Sequence, residues 1–228
     1  MVDSYTLMVV GTSSIISSNY FPALHLSGSW EIGLLSLETF NSIPNVEEAT
    51  ITVGTVDVTI PTGSYEIEDL ENYINKKIYP EEIILKGNRN TLLAEVKCTK
   101  ALKLSKSLAK MLGFGEKTFF LANQEYISEE PVDIFSVQSI CVEVNIASGS
   151  YVNKINSLSS TRSHSIYELF LDVPPGFKLN EKVNSVIYYP INTDILSEIQ
   201  VRLVDQNWNI INNRQEKVTL RFHLRRVQ

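Results

Sequence analysis

A strict alternation of apolar and polar residues closes the chain and limits what it can fold into. From Val218 to Arg225 every second residue is apolar (Val218, Leu220, Phe222, Leu224), and Thr219, Arg221, His223 and Arg225 fill the positions between. Successive side chains point to opposite faces of a strand, so this pattern buries one face and leaves the other exposed, as in an antiparallel sheet. Ile199, Val201 and Leu203 against Gln200 and Arg202 repeat it, and the polar stretch Asp205 to Gln215 supplies the connection. The two runs read as a closing hairpin-like pair that carries no catalytic group.

Shorter runs of the same kind recur upstream. Trp30, Ile32 and Leu34 alternate and continue into Leu35 and Leu37 in shifted phase, ahead of a turn at Asn41–Asn45. Ile51 and Val53, then Val56, Val58 and Ile60, slip at Gly54-Thr55, which requires a bulge or a turn between two short strands. Ile83/Leu85 and Ala94/Val96/Cys98 flank a turn at Gly87–Asn90. Ile140 to Ile146 alternates, as do Leu169, Leu171 and Val173, and Val186 to Tyr189 forms a further run. Two segments have helical spacing instead. Ile67, Leu70, Ile74 and Ile78 recur at three and four residues, with acids at the start and Lys76 and Lys77 at the end, matching the helix dipole. Ser105 offers an N-cap for a one- to two-turn helix carrying Leu108, Met111 and Leu112, which Gly113 stops. The expected class is all-β, an antiparallel β-sandwich with one well-formed and one short helix inserted. Its expected parts are an N-terminal β-rich part with the helices (1–130) and a C-terminal β-sandwich part (131–228), packed as one compact unit or two tightly joined halves.

Composition excludes several classes. With 228 residues, 43% apolar and 20% charged, the chain is long enough for a sizeable core and suggests neither disorder nor a membrane protein. A net charge of −6 with scattered Lys and Arg leaves no electrostatic footprint for nucleic-acid phosphates, so direct nucleic-acid binding is not expected. Cys98 and Cys141 sit in apolar strand-like runs and read as unpaired buried thiols. The run Leu7 to Val10 is too short for a signal sequence or a membrane span and no positive n-region precedes it. Synthesis in the cytosol without a signal peptide and no membrane insertion are expected. Ser148 to Ser165, polar and serine-rich, reads as a long surface loop or mobile insertion.

Catalytic signals are thin. His25, His164 and His223 lack metal-ligand spacing, and two isolated cysteines cannot build a zinc knuckle. The stretch Gly113 to Thr118 ends like a phosphate-binding loop, but an acid precedes the lysine and no upstream glycine stands at the required spacing, so it reads as a helix stop and turn. No G-x-S-x-G elbow occurs, and His223 lies between two arginines on the polar face of the last strand, a solvated or interface histidine rather than a general base. No enzyme activity, catalytic residue, metal site or cofactor is expected.

The segments LHLSGSWEIGLLSLETFNSIPNV, IPTGSYEIEDLENYINKKI, LAKMLGF and the closing stretch from Val186 to Val227 resemble a family of small capsid proteins. These are encoded by adintoviruses and the related Polinton (Maverick) elements of animal genomes. The most specific pieces are Ile60 to Ile67, Met111 to Phe114 and Asp205 to Arg225, in that order and spacing. The resemblance implies a jelly-roll protein of a double-stranded DNA virus, resident in the virion. The favoured role is the penton, a homopentamer at the five-fold vertex beside a neighbouring major capsid protein. The alternative is the major capsid protein itself, a trimer of double jelly rolls, which usually needs a longer chain. A non-viral β-sandwich binding module predicts a signal peptide, disulfides or acids clustered for calcium, and none is evident.

A capsid subunit needs edges and loops that symmetric neighbours bury. Aromatics in loop-like settings are the candidate contacts: Trp208 in the last connection, Phe119 and Phe120 after the Leu112-Gly113-Phe114 turn, and Tyr151 in the serine-rich stretch. The polar face of the last strand, Arg221, His223 and Arg225 with the adjoining Arg226, is the most basic patch of an acidic chain. It is expected to meet an acidic neighbouring subunit.

Overall fold

A computed structural model describes residues 4–153 and 160–227. The chain opens with β1 (Ser4–Gly11), β2 (Ile15–His25) and β3 (Trp30–Phe40). Leu7 and Val9 of β1 and Ile16 of β2 are buried while Met8, Val10 and Ile15 are exposed, the alternation a half-buried strand requires. The shifted phase in β3 is a β-bulge. Phe222 pairs with Leu34 and Arg221 with Ser36, so Leu35 is the extra residue, and its carbonyl accepts the Val183 N–H at 3.0 Å.

After Ile43 the chain builds a second unit over 44–136. It comprises β4 (Ala49–Val53), β5 (Val56–Ile60), α1 (Ile67–Ile78), β6 (Ile83–Gly87), β7 (Ala94–Cys98), β8 (Leu102–Lys103), α2 (Lys106–Met111), β9 (Phe119–Phe120) and β10 (Glu125–Ile127). The slip at Gly54-Thr55 is a two-residue turn joining β4 to β5, with Gly54 at φ +61°. The predicted apolar stripe of α1, Ile67, Leu70, Ile74 and Ile78, is buried. At its start the Glu66 N–H donates to Asp69 Oδ2 at 3.3 Å. Ser105 caps α2 by accepting the Leu108 N–H at 3.3 Å. Two small sheets, ordered β5-β4-β8-β9 and β10-β7-β6, share one core with both helices, including Ile51, Leu70, Leu85, Leu108 and Phe120.

The chain then returns to its first unit with β11 (Ser139–Val144), β12 (Ser150–Asn153), β13 (Ser160–Ser163), β14 (Ser165–Phe170), β15 (Lys178–Lys182), β16 (Tyr189–Pro190), β17 (Ile195–Val204) and β18 (Val218–Arg226). Two antiparallel sheets result, one ordered β1-β18-β3-β15 with β16 also on β3, the other ordered β14-β11-β17-β2. The pairing is nested: β1 with β18, β2 with β17, β3 with β15, β11 with β14. Nested pairs that alternate between two sheets are the winding of a jelly roll. Between the sheets lies one core, including Val9, Ile32, Leu37, Val142, Val201 and Phe222. The unit is an antiparallel β-sandwich of jelly-roll type, and the long and the short helix both belong to the inserted unit.

Several expectations are corrected. The last two runs are not a hairpin, because β17 lies in one sheet and β18 in the other. Each buries one face on the same core, so both arrangements produce the same alternation. A cut at 130/131 does not divide the chain, since Met1–Ile43 and Val137–Gln228 form one unit and Pro44–Ser136 the other. The reason is the 221-residue reach from Ser4 to its partner Arg225 on β18. Part of the serine-rich stretch is ordered, with β12 paired to β13, and 154–159 lies outside the described residues. Val186 to Tyr188 forms no strand. Instead it covers Gly33, where a Cβ would come within 2.4 Å of Val186 Cγ1 and 2.9 Å of the Ile187 carbonyl.

Candidate interaction surfaces

Two of the predicted contact aromatics come together. The turn that presents Trp208 is built on the buried Asp205, whose Oδ1 accepts the N–H groups of Asn207 and Asn209, each at 2.8 Å. This local Asx geometry holds Trp208 at φ +66°. Tyr151, 63% exposed on β12, lines the same open depression of about 420 Å³ as Trp208. Cys141, Tyr167, Glu168 and Gln206 are also part of its wall. Glu168 accepts the Ser139 hydroxyl at 2.6 Å, and the Tyr167 hydroxyl reaches across to Glu181 of β15 at 2.6 Å, tying β14 to β15 along that side of the sandwich.

Phe119 and Phe120 belong to the inserted unit and part company. In the two-residue strand β9 one side chain points each way, so Phe119 is 55% exposed and Phe120 is 1% exposed. Phe120 packs edge-on against Phe114 and Tyr126, with ring centroids 4.9 and 5.2 Å away. It is a core residue, which corrects its reading as a contact.

The basic face of β18 is also less free than its sequence implies. Tyr188 hydrogen-bonds His223 Nδ1 at 2.8 Å and its ring lies 3.6 Å from the Arg225 guanidinium, which bonds Glu31 Oε2 at 2.9 Å. Arg221 is exposed and has no ion pair among the described residues. His164 Nδ1 lies 2.6 Å from the Ala147 carbonyl. Among the described residues no group of three or more His, Cys, Asp and Glu is placed to hold a metal ion, and no helix is long and apolar enough to cross a membrane.

Sequence reasoning missed the side formed by β1 and β2. Phe21 there is fully exposed, at 102% of its reference area, in company with Met8, Val10 and Ile15. The available signal was an aromatic before proline inside a serine-rich strand, Ser17-Ser18-Asn19-Tyr20-Phe21-Pro22.

Burial sets the titration of two groups at the depression. It pushes the Cys141 thiol up to about 11, with Glu168 adding to the effect, and the Tyr167 phenol up to about 12, with its bond to Glu181 adding to that. Both folded values lie above the ordinary 9.0 and 10.0, so the folded chain favours the neutral forms. Their stabilisation is complete below pH 9 and is lost as pH rises from 9 to about 11 for the thiol and from 10 to about 12 for the phenol. The melting temperature is expected to fall above about pH 9, and Cys141→Ala to flatten the first part of that fall. Identical pH profiles for the two chains would remove Cys141 from the account.

No protein-family model matches the chain, and no curated protein matches its sequence. Among solved structures it is similar to the mavirus penton protein, crystallised in selenomethionine-labelled form. The TM-score is 0.53 at 8% identity, over 99% of this chain and 100% of that one. The chain thus shares the fold of that protein.

Proposed function

We propose that the chain is a structural capsid protein that forms the pentameric vertex, the penton, of an icosahedral shell. The shell belongs to a double-stranded DNA virus or a virus-derived element of the adintovirus or Polinton (Maverick) kind. The observation that carries this reading is the nested jelly roll with a unit inserted between β3 and β11, in a fold that matches a penton protein over nearly all of both chains. The described residues contain one sandwich, of a five-stranded and a four-stranded sheet, whereas a double-jelly-roll major capsid protein needs two. Its partners are further copies of itself and the neighbouring major capsid protein. Its role is mechanical, without catalysis or direct contact to nucleic acid, and its place is the virion after synthesis in the host cytosol.

Sedimentation and negative-stain imaging of the purified chain test this. Five-fold rings support the penton, trimers point to the major capsid protein, and a monomer at all concentrations with a ligand-sized cleft would sink both. Arg221, exposed and without an ion pair among the described residues, is expected to face acid on a neighbour. Arg221→Glu should raise the concentration for half-assembly about tenfold at low salt, with the gap closing as salt screens it. Arg225→Glu should weaken assembly less, because Arg225 is engaged by Glu31 and Tyr188 within its own chain. Assembly that ignores Arg221→Glu at every salt concentration would refute the contact.

A further inference from the structure

The two sides of the jelly roll differ in chemistry. On one side run the edge strands β1 and β2, neither of which has a strand on its outer edge among the described residues. Their sequences, SYTLMVVG and IISSNYFPALH, contain no Lys, Arg, Asp or Glu. Exposed edges normally carry such charges, since an uncharged edge with free N–H and C=O groups is a template for association. Here β1 has no charge, proline or bulge, and Met8, Val10, Ile15 and Phe21 are exposed along the two strands. The opposite side is formed by β14 and β15, joined by the Tyr167–Glu181 bond. It carries Glu168, Lys178 and Lys182, together with the depression walled by Tyr151 and Trp208.

Phe21 is held out as a knob. β2 pairs with β17 up to Asn19↔Glu198 and resumes at Leu24↔Leu196, so Tyr20 to Ala23 leave the ladder opposite Ser197 alone, with Tyr20 packed on the core and Phe21 exposed. Because the strand is anchored before and after the bulge, the ring is presented at a fixed place. A fully exposed phenylalanine on an ordered strand is costly to leave in water, and burying an aromatic ring removes about 150–250 Å² from solvent.

We propose that the β1/β2 side is covered by a second copy of this chain in a head-to-tail contact, with Phe21 of one copy seated in the Tyr151/Trp208 depression of the next. This deepens the penton reading and rests on it. Knob and depression sit at opposite edges of one sheet, ordered β14-β11-β17-β2. Each copy therefore offers one of each, and repetition of an unlike contact closes a ring when the rotation it repeats divides a full turn. The 11 residues of β2 span roughly 37 Å at about 3.4 Å each, and two sheets about 10 Å apart give a strip of about 370 Å² per copy, roughly half of what a specific interface buries per partner, so the contact has to extend past the strip to the Phe21 knob and the depression that takes it. Charge favours the unlike contact. Arg221 lies beside β1, across from Met8, while Glu168 is exposed on β14. Pairing two β1/β2 sides would oppose Arg221 to itself.

The full-length chain provides the test. Phe21→Asp should leave the melting temperature unchanged, because the side chain is fully exposed, and should raise the concentration for half-assembly at least about tenfold by sedimentation. On a Cys141→Ala background, which removes the native thiol from the depression, Phe21→Cys combined with Tyr151→Cys should give a ladder of disulfide-linked multimers on mild oxidation, ending at the ring size, while each of the two alone stays uncrosslinked. Within one chain Phe21 lies on edge strand β2 and Tyr151 beside β14, the opposite edge of that sheet, and three strand spacings, about 14 Å, separate the two edges, too far for a disulfide, so a crosslink between positions 21 and 151 joins two copies. Rings that persist in Phe21→Asp and give no ladder would overturn this contact and leave the penton reading standing. A chain that never assembles, or that stops at a two-fold dimer, would overturn both.

Discussion

Replacing Phe222 by alanine is expected to cost the jelly roll about 3–5 kcal/mol, a large share of the 5–15 kcal/mol that holds a typical domain together. Phe222 is 0% exposed on β18, with Leu7 of β1 and Leu34 of β3 as its register partners. It stands where the β3 bulge resets the phase of the sheet, with Arg221 opposite Ser36 just before it. Truncation removes the ring from the centre of the core, and strands hydrogen-bonded on both flanks cannot collapse to fill the space. The outward neighbour Thr219, replaced by alanine, should change stability by no more than about 0.5 kcal/mol.

The measurement is favoured by where the tryptophans lie. Trp30 and Trp208 both belong to the jelly-roll unit, so tryptophan fluorescence reports that unit and far-UV circular dichroism reports the whole chain. Phe222→Ala should move the urea midpoint seen by fluorescence sharply downward. Dilute protein is required, because assembly stabilises the folded chain by mass action and would mask part of the loss. A fluorescence midpoint within error of the parent would show that the Phe222 ring does not sit at the centre of this core.

How far the chain can be read from its residues depends on the range of the interaction concerned. Period-two runs such as Ile140–Val144 and Val218–Leu224, and the spacing of Ile67, Leu70, Ile74 and Ile78, follow from which face each element buries, so the strands and helices were legible. Their winding was not. Ser4 pairs with Arg225 and Ile195 with His25 across most of the chain, and no local pattern records such partners. β1 and β2 escaped notice because each exposes one face at an edge, so serines and bulky apolar residues mix without a clean period. Among contact candidates, Trp208 and Tyr151 were legible as aromatics outside periodic runs. Phe120 was not distinguishable from Phe119, since a two-residue strand sends adjacent side chains to opposite faces. The charge of the β18 face was plain, but its capture by Tyr188 depends on an irregular segment laid over Gly33.

In the inserted unit a large expected loss comes from one added carbon. Gly113 ends α2 in a Schellman arrangement: its own N–H donates to the Lys110 carbonyl at 3.0 Å, and the Phe114 N–H donates to the Ala109 carbonyl at 2.8 Å. Its φ of +78° disfavours any side chain by roughly 1 kcal/mol. A Cβ there would stand 2.0 Å from the Glu130 carbonyl oxygen, a backbone atom fixed by the Ser128 hydroxyl at 2.8 Å. The Glu130 N–H in turn donates to the Gly113 carbonyl at 3.1 Å, so neither segment can retreat without losing bonds. Gly113→Ala should therefore cost about 1–3 kcal/mol for forced displacement on top of the backbone strain. Gly115, at φ +57° with nothing within 4 Å of its would-be Cβ, separates the two contributions. Gly115→Ala carries the strain alone and should lose only about 1 kcal/mol. Circular dichroism melts of the two variants decide the matter: equal losses would mean that the Glu130 carbonyl yields freely, and a clearly larger loss at Gly113 identifies the contact with Glu130 as the reason glycine stands there.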